Sequence, residues 1–333
     1  MSIQGHDMKS IFGKSTICLI LLILASSLKA EPSNLPSVSV VPGEWSDVTQ
    51  EKANAIESKL GSLANEFKDH LVSGFDLTVS LHDSGENPSY GNKRISSPLV
   101  FEFRHPDTGI MIKRSEEESY SIILHEFGHW IFEQSLLSSV PQWSNYTAAK
   151  HAHIQINPEY RTLLRERDFG VISDEGLARI EVLKPEIDRL NEELESYPFR
   201  DFIESYNELF ADLFAVLVSN KPRTFRNLIE FPTENPHYLQ VAYSRDFSQE
   251  HTFDISGEVG AYLFFAPSKF FFWELLRKSD LSRADKVDAV LRAIAEDINQ
   301  RVKNAELNNA SIEQHNLRLQ DLVRRQIEGK KVD

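Results

Sequence analysis

Two histidines with a glutamate between them form the pattern of this sequence with the most distinctive chemistry. Residues 125–129 read His-Glu-Phe-Gly-His. On a helix, residues four positions apart lie one turn apart on the same face, so His125 and His129 can bind a single metal ion. Glu126 can then reach a water molecule at an open coordination position and take its proton. The spacing therefore predicts a catalytic site with one Zn²⁺ per chain and Glu126 as the general base.

The sequence around this pattern predicts a substantially buried helix from Glu117 to Leu137. The apolar residues that flank the histidines are Ile122, Ile123, Phe127, Trp130 and Ile131. Two buried imidazoles and a buried carboxylate need partners, because an unpaired polar group is costly in an apolar environment. Gly128 costs the helix about 1 kcal/mol relative to alanine, which predicts the close approach of another backbone. The alternative to a metal site is a pair of core histidines satisfied by hydrogen bonds.

The third metal ligand is predicted on a second helix. Residues 206–215 are strongly apolar except for Glu208 and Asp212, which lie one helical turn apart. One of these carboxylates can ligate the metal while the other accepts the free N–H of a ligating histidine. Such an acceptor fixes the tautomer of the imidazole and raises its basicity. Glu208 is the predicted ligand.

These two motifs together resemble those of the gluzincin metallopeptidases, the thermolysin-like superfamily. The resemblance is carried by His125-Glu126-Phe127-Gly128-His129 and by Asn207-Glu208-Leu209-Phe210-Ala211-Asp212. It implies a zincin-like catalytic domain that hydrolyses peptide bonds. The metal ligands that it implies are His125, His129 and Glu208. It further implies that Asp212 orients His125 and that Asn207, like Asp212, supports the metal ligands without binding the metal.

The spacing between the motifs departs from that of thermolysin. Residues 130–207 separate them, so the charged helical segment at about 140–200 is predicted to be an insertion beside the cleft. This segment contains a rival third ligand, Glu175, whose surroundings resemble the Glu-Gly-Leu-Ala form of other gluzincins. Position 179, four residues further on, is an arginine instead of an acid. The alternative to a ligand role is that Glu175 is a solvated residue at the start of a helix.

A hydrogen-bond donor opposite the metal is expected to stabilise the tetrahedral intermediate. His251 is the predicted donor, because Asp246 and His251 loosely resemble a thermolysin-like Asp-to-His pair ahead of a helix. A neighbouring carboxylate would keep His251 protonated enough to donate. Tyr206 and His237 are the competing candidates, and an exposed loop histidine is the alternative interpretation of His251.

Two further patterns are predicted to be structural. His151 and His153 form a His-x-His pair, which favours surface histidines over a second metal site. The aromatic residues between Phe264 and Trp273 recur at helical spacing in an apolar segment, which favours core packing. Part of this aromatic run is a candidate lining for a specificity pocket.

The elements around the motifs predict an α+β fold, with a small mixed or antiparallel sheet early and a mainly helical remainder. Residues 31–44 are rich in Pro and Ser and are expected to form a loose leader. A helix is predicted from Val48 to Val72 and a strand from Phe75 to Leu81. Leu99–Arg104 and Ile110–Lys113 are expected to form a hairpin. Residues 31–333 are interpreted as one catalytic domain, with its helical insertion and a helical C-terminal part at about 255–333.

The composition narrows the possible partners and the location. The net charge of −14 over 333 residues argues against nucleic acid and against an anionic membrane surface. Residues 1–30 combine basic residues, an apolar run and a small residue before a cleavage point, so they are predicted to be a signal peptide. The chain is thus expected to be exported to a periplasm or secreted, with no membrane contact after cleavage. The only cysteine, Cys18, lies in this segment, which excludes disulfides from the mature chain.

The function predicted from these observations is that of a zinc-dependent endopeptidase acting on a protein or peptide. An extended substrate is expected to pair with a sheet edge, and the Leu99–Ile112 hairpin is a candidate for that edge. Two alternatives remain open from the residues alone: a non-catalytic zinc-containing binding protein, and a zinc amidase acting on a cell-wall linkage. The oligomeric state and a propeptide role for residues 31–75 are also left open.

Overall fold

The computed structural model describes residues 36–44, 46–85, 88–91, 93–105, 107–230, 236–251 and 260–329, of which 236–238 are described by their backbone alone. The predicted signal peptide and Cys18 lie outside the described residues. Within those residues, no helix combines the length and the apolar character that crossing a membrane requires.

A small mixed sheet forms the N-terminal part of the fold. Its strands are β1 (Val38–Pro42), β2 (Leu77–Gly85), β3 (Ser89–Gly91), β4 (Arg94–Arg104) and β5 (Met111–Lys113). They are ordered β1-β2-β4-β3, with β1, β2 and β4 parallel and β3 antiparallel to β4. The predicted hairpin is confirmed, because β5 pairs antiparallel with the far end of β4. Strand β3 lies at the edge of the sheet.

Strand β1 corrects the prediction of a loose leader at residues 36–44, while residues 31–35 lie outside the described residues. Val40 is buried, and its backbone N–H donates to the carboxylate of Glu57 at 2.8 Å. Glu57 belongs to α1 (Gln50–Glu66), the helix predicted at Val48–Val72, which packs on β1. The strand was missed because its Pro- and Ser-rich surroundings indicate a loop, while its pairing with β2 is a long-range contact. Strand β1 therefore belongs to the sheet, and its Val40 belongs to the core.

The rest of the described chain is mainly helical, as predicted. The helices are α2 (Glu116–Ser139), α3 (Trp143–Asp168), α4 (Asp174–Glu195), α5 (Arg200–Ser219), α6 (Thr224–Ile229), α7 (Pro236–Ser244), α8 (Ala261–Phe264), α9 (Ala266–Lys278), α10 (Arg283–Lys303) and α11 (Ile312–Gly329). Helices α3 and α4 form the helical hairpin of the predicted insertion, and Gly170 turns between them with φ of +69°. The aromatic run of α8 and α9 contributes Phe265 and Phe272 to the core, as expected.

Helix α2 begins where the sequence provides a strong start signal. The side chain of Ser115 accepts from the backbone N–H of Glu118, and the Glu118 carboxylate accepts from the backbone N–H of Ser115. This capping box satisfies two of the free donors at the helix start. From there α2 runs through the core, where both the histidine motif and its apolar neighbours are buried.

Helices α2 and α5 cross at Gly128. A Cβ atom at this position would lie 2.9 Å from the Cα of Ala211 and 3.3 Å from its carbonyl oxygen. Both neighbours are backbone atoms, which cannot move aside as a flexible side chain does. The close backbone approach that the glycine predicts is therefore confirmed, and it brings the two motif helices together.

We expect Gly128→Ala to destabilise the protein by about 1–3 kcal/mol, because the added methyl group overpacks the helix crossing. Gly61→Ala is the matched control, since Gly61 lies in helix α1 and a Cβ there meets nothing within 4 Å. That variant should raise the free energy of unfolding by about 0.4–1 kcal/mol, because alanine lowers the conformational entropy of the unfolded chain. Denaturant unfolding measures both free energies. Equal effects of the two substitutions would contradict the close crossing.

Candidate metal centre

The crossing of α2 and α5 brings both sequence motifs to one buried place. His125, Glu126 and His129 lie on α2 and are all buried, and one potential ligand atom from each lies within 4.8 Å of the others. Among the described residues, no other group of three His, Cys, Asp or Glu side chains has its ligand atoms this close together. Helix α5 faces them with Asn207 and Glu208, which line the same cleft.

The atoms expected to bind the metal converge. The Nε2 atoms of His125 and His129 lie 3.0 Å apart, and Oε2 of Glu208 lies 3.3 Å from the first and 3.9 Å from the second. This carboxylate oxygen is buried and has no partner with hydrogen-bond geometry. A buried oxygen without such a partner is costly, and a cation between these atoms would satisfy it. Two imidazoles and one carboxylate are a ligand set of catalytic zinc sites, so the residues fit the metal.

The outer nitrogens of both imidazoles have acceptors that fix their orientation. Nδ1 of His125 lies 3.0 Å from Oδ1 of Asp212, and Nδ1 of His129 lies 2.8 Å from Oδ1 of Asn207. A proton held at Nδ1 leaves the lone pair of Nε2 directed into the site. Asp212 thus lies at His125, where the resemblance expects it. Asn207, which the sequence assigned to no particular histidine, faces His129.

Asp212 is fully buried and has two cationic partners that sequence reasoning missed. Arg245 donates to both carboxylate oxygens, and Nζ of Lys269 donates to Oδ2 at 2.9 Å. Burial favours the neutral acid, but the two cations outweigh it and hold the pKa of Asp212 well below its usual range. The signal for Lys269 was present, because a lone lysine inside the aromatic run of α9 needs a buried acid as its partner.

The ionisable side chains of this site shift one another's pKa values. Burial favours neutral His125, but the nearby carboxylates of Asp212 and Glu208 raise the pKa of His125 to about 9. Burial likewise favours neutral Glu208, while the two histidines lower its pKa to about 2. Burial and the charge on His125 together lower the pKa of His129. Glu208 is therefore anionic at neutral pH, which is the form in which a carboxylate binds a metal ion.

A cleft of about 350 Å³ opens beside these atoms. His125, Glu126 and Glu208 lie in its lining, as does Tyr262 from helix α8. The ring of Tyr262 stacks against the guanidinium of Arg245, with 4.6 Å from the guanidinium carbon to the ring centre. Burial and the nearby Glu208 carboxylate raise the pKa of Tyr262, so its hydroxyl keeps its proton at neutral pH. Tyr262 is a donor at the cleft that sequence reasoning did not single out.

The predicted donor His251 occupies a different setting. It is buried, its Nε2–H donates to the backbone carbonyl of Asp246 at 2.5 Å, and it is not among the described residues that line the cleft. The Asp246 carboxylate instead accepts from Arg226 at 2.8 Å. Burial lowers the pKa of His251, which opposes the protonated form that the prediction requires.

The remaining candidates are also located. Tyr206 is buried and donates its hydroxyl to Asp297, so it serves the packing of α5 against α10. The side chain of His237 lies outside the described residues. Glu175 is exposed in the first turn of α4, as expected for a solvated helix start. His151 and His153 are partly buried on α3, and His151 lies 3.7 Å from Glu133.

The resemblance to the gluzincins is limited to the two sequence motifs. No protein-family model matches this chain, and neither a curated protein nor a solved structure matches it. What the site can do chemically is set by its ligand types, their burial and its open side toward the cleft.

We expect the purified protein to bind about one zinc per chain, as catalytic zinc sites do. Glu208→Ala should lose it, because two imidazoles alone hold zinc weakly. Glu175→Ala is the matched control and should retain it, since this carboxylate is exposed on the insertion. Elemental analysis of the three proteins, prepared without chelator, measures the zinc content. Loss of zinc from the control instead of from Glu208→Ala would move the third ligand into the insertion.

Proposed function

We propose that this protein is a zinc-dependent endopeptidase with a zincin-like catalytic domain. The observation that carries the proposal is the buried Oε2 of Glu208, which faces the Nε2 atoms of both histidines without a hydrogen-bond partner. His125, His129 and Glu208 would hold the metal. Zinc in such a site supplies Lewis acidity, which activates water near neutral pH and polarises a carbonyl group.

Glu126 is the proposed general base. It is next to a ligand on α2, it is buried, and it lines the cleft in which the substrate would lie. Its carboxylate would take a proton from the attacking water and deliver it to the leaving amine. A structural zinc site needs no such group, because four protein ligands close it. This residue therefore favours hydrolysis over a purely structural metal.

Tyr262 is the proposed donor to the oxyanion of the tetrahedral intermediate. Its hydroxyl is protonated at neutral pH and its ring is held by Arg245 at the cleft. An oriented donor of this kind stabilises the charge that develops on the carbonyl oxygen. Tyr262 thus takes the role that the sequence assigned to His251.

Strand β3 is the proposed sheet edge for an extended substrate. Ser89, Tyr90 and Gly91 line the cleft beside the metal ligands. The strand is the last in the sheet and pairs only its inner side with β4. An extended peptide can add to such an edge through its main chain. This edge replaces the Leu99–Ile112 hairpin, which is not among the described residues that line the cleft.

Export to a periplasm or to the medium remains part of the proposal. It rests on the signal-peptide pattern of residues 1–30 alone. The sequence of the N-terminus of the mature protein, read after expression with this segment, tests it. A chain that begins at Met1 and stays inside the cell would overturn the assignment.

We expect Glu126→Gln to lower kcat for peptide hydrolysis by a factor of about 10²–10⁴, because the amide cannot accept the proton of the attacking water. The zinc content should not change, since Glu126 is not a proposed ligand. Glu117→Gln is the control, because this residue lies on the same helix and is exposed. Casein and cell-wall material serve as parallel substrates. Release of cell-wall fragments without casein cleavage would favour an amidase instead, and no hydrolysis at all would favour a binding protein.

Tyr262→Phe removes only the hydroxyl that we assign to the oxyanion. We expect kcat to fall by a factor of about 10²–10³ with little change in KM, as for loss of one oxyanion donor. Zinc content and the unfolding midpoint should stay near those of the parent, since the ring is retained. Steady-state kinetics on a peptide substrate measure the effect. An unchanged kcat would remove Tyr262 from the mechanism.

A further inference from the structure

The proposed substrate edge is a very short strand. β3 contains only Ser89, Tyr90 and Gly91, and β4 is its one neighbour in the sheet. Strands of globular proteins usually have about five or six residues, so three paired positions alone fix a strand poorly. Ser89 and Gly91 are exposed. The side chain between them, that of Tyr90, is therefore the one that can hold β3 in place.

Tyr90 connects this strand to the helix of the histidine motif. Its ring packs against the hydrophobic core, and its hydroxyl donates to Oε2 of Glu133 on α2. Burial and the charge of this carboxylate raise the pKa of Tyr90, so the hydroxyl keeps its proton. Glu133 lies four residues after His129, so the two side chains are one helical turn apart on the same face. One hydrogen bond thus joins the substrate edge to the helix that carries the proposed metal ligands.

Glu133 also has neighbours on the insertion. Its Oε1 faces Nε2 of His151 on α3 at 3.7 Å, and its backbone carbonyl accepts from Nε1 of Trp143 at 3.1 Å. The Glu133 side chain is only 14% exposed although it lines the cleft. It is not a member of the described cluster whose ligand atoms could share a metal ion. This half-buried acid therefore contacts both β3 and α3 but lies outside the candidate metal centre.

We propose that Glu133 is a positioning residue, which acts through Tyr90 to fix the main-chain edge of β3 at a set distance from the metal. The inference rests on the proposed peptidase function, because it assumes that an extended peptide pairs with this edge. A paired peptide takes its position from the strand, so a shift of β3 moves the scissile bond relative to the metal ligands. A misplacement of about 1 Å can lower the rate by a factor of about 10².

Three variants separate the hydrogen bond from the bulk of the side chains. Tyr90→Phe removes only the hydroxyl, and Glu133→Leu removes the acceptor at similar size. Glu133→Gln keeps an amide oxygen that can accept from Tyr90. Glu117→Leu is the control, because this carboxylate is exposed on the same helix. All four proteins should keep the zinc content of the parent, since none of these residues is a proposed ligand.

The first measurement compares kcat/KM for two peptides with the same cleaved bond, a short one and one extended by three residues on each side. The parent should prefer the long peptide, because only this one reaches along the strand edge. Tyr90→Phe and Glu133→Leu should lower this preference about tenfold, as for loss of a hydrogen bond to a charged group, with little change on the short peptide. Glu133→Gln and Glu117→Leu should retain it. An unchanged preference in Tyr90→Phe and Glu133→Leu, or an equal loss on both peptides, would overturn the positioning role.

Hydrogen exchange of the zinc-loaded protein without peptide gives a readout that does not depend on hydrolysis. The backbone amides of residues 89–91 should exchange faster in Tyr90→Phe and Glu133→Leu than in the parent, while those of α2 stay equally slow. If no peptide is hydrolysed, the proposed function is overturned, and this measurement still decides whether Glu133 holds the strand. Unchanged exchange in β3 would overturn the positioning role even in an active peptidase.

Discussion

The close crossing of two helices is the constraint on which the site depends. Because Gly128 has no side chain, α5 can approach α2 closely. A Cβ atom on Gly128 would lie only 2.9 Å from the Cα of Ala211. At that separation Glu208 reaches both histidines, Asp212 reaches His125, and Asn207 reaches His129. A larger side chain at the crossing would move the polar side chains of α5 away from the two histidines of α2. One glycine thus determines both the packing of the core and the geometry of the centre.

A buried charge then determines where the C-terminal half packs. Asp212 orients His125 from a fully buried position, and an uncompensated carboxylate there would be strongly destabilising. Arg245, just after α7, and Lys269, in α9, neutralise it, so both segments contact α5. Arg245 also stacks on Tyr262, which lines the cleft. The compensation of one carboxylate therefore also positions the proposed oxyanion donor.

Several separate elements of the fold line the cleft. Residues of α2, α5, the edge strand β3 and α3 line it together. Ion pairs and hydrogen bonds join these parts, through Glu133 with Tyr90 and His151, and through Lys150 with Glu204. In the proposed function, α2 and α5 would hold the metal and the general base, and β3 would face the substrate.

The sequence by itself determined what local periodicity encodes. It predicted the α2 and α5 helices and the position of two histidines on one helix face. It also predicted that Glu208 and Asp212 lie one helical turn apart and that another backbone closely approaches Gly128. It also predicted the hairpin of β4 and β5 and the mixed α+β class. These follow from residues a few positions apart, whose relation is fixed once a helix or strand forms.

Only the tertiary structure decided the contacts between distant segments. It placed Glu208 in the site and Glu175 on the surface, Tyr262 at the cleft and His251 away from its lining, and it paired Asp212 with Arg245 and Lys269. It also placed β1 beside β2, against the expectation of a loose leader. The physical reason is that periodicity shows which face of an element is buried, but not which other face it meets. That choice depends on packing and charge compensation over the whole core, which no local stretch of the sequence contains.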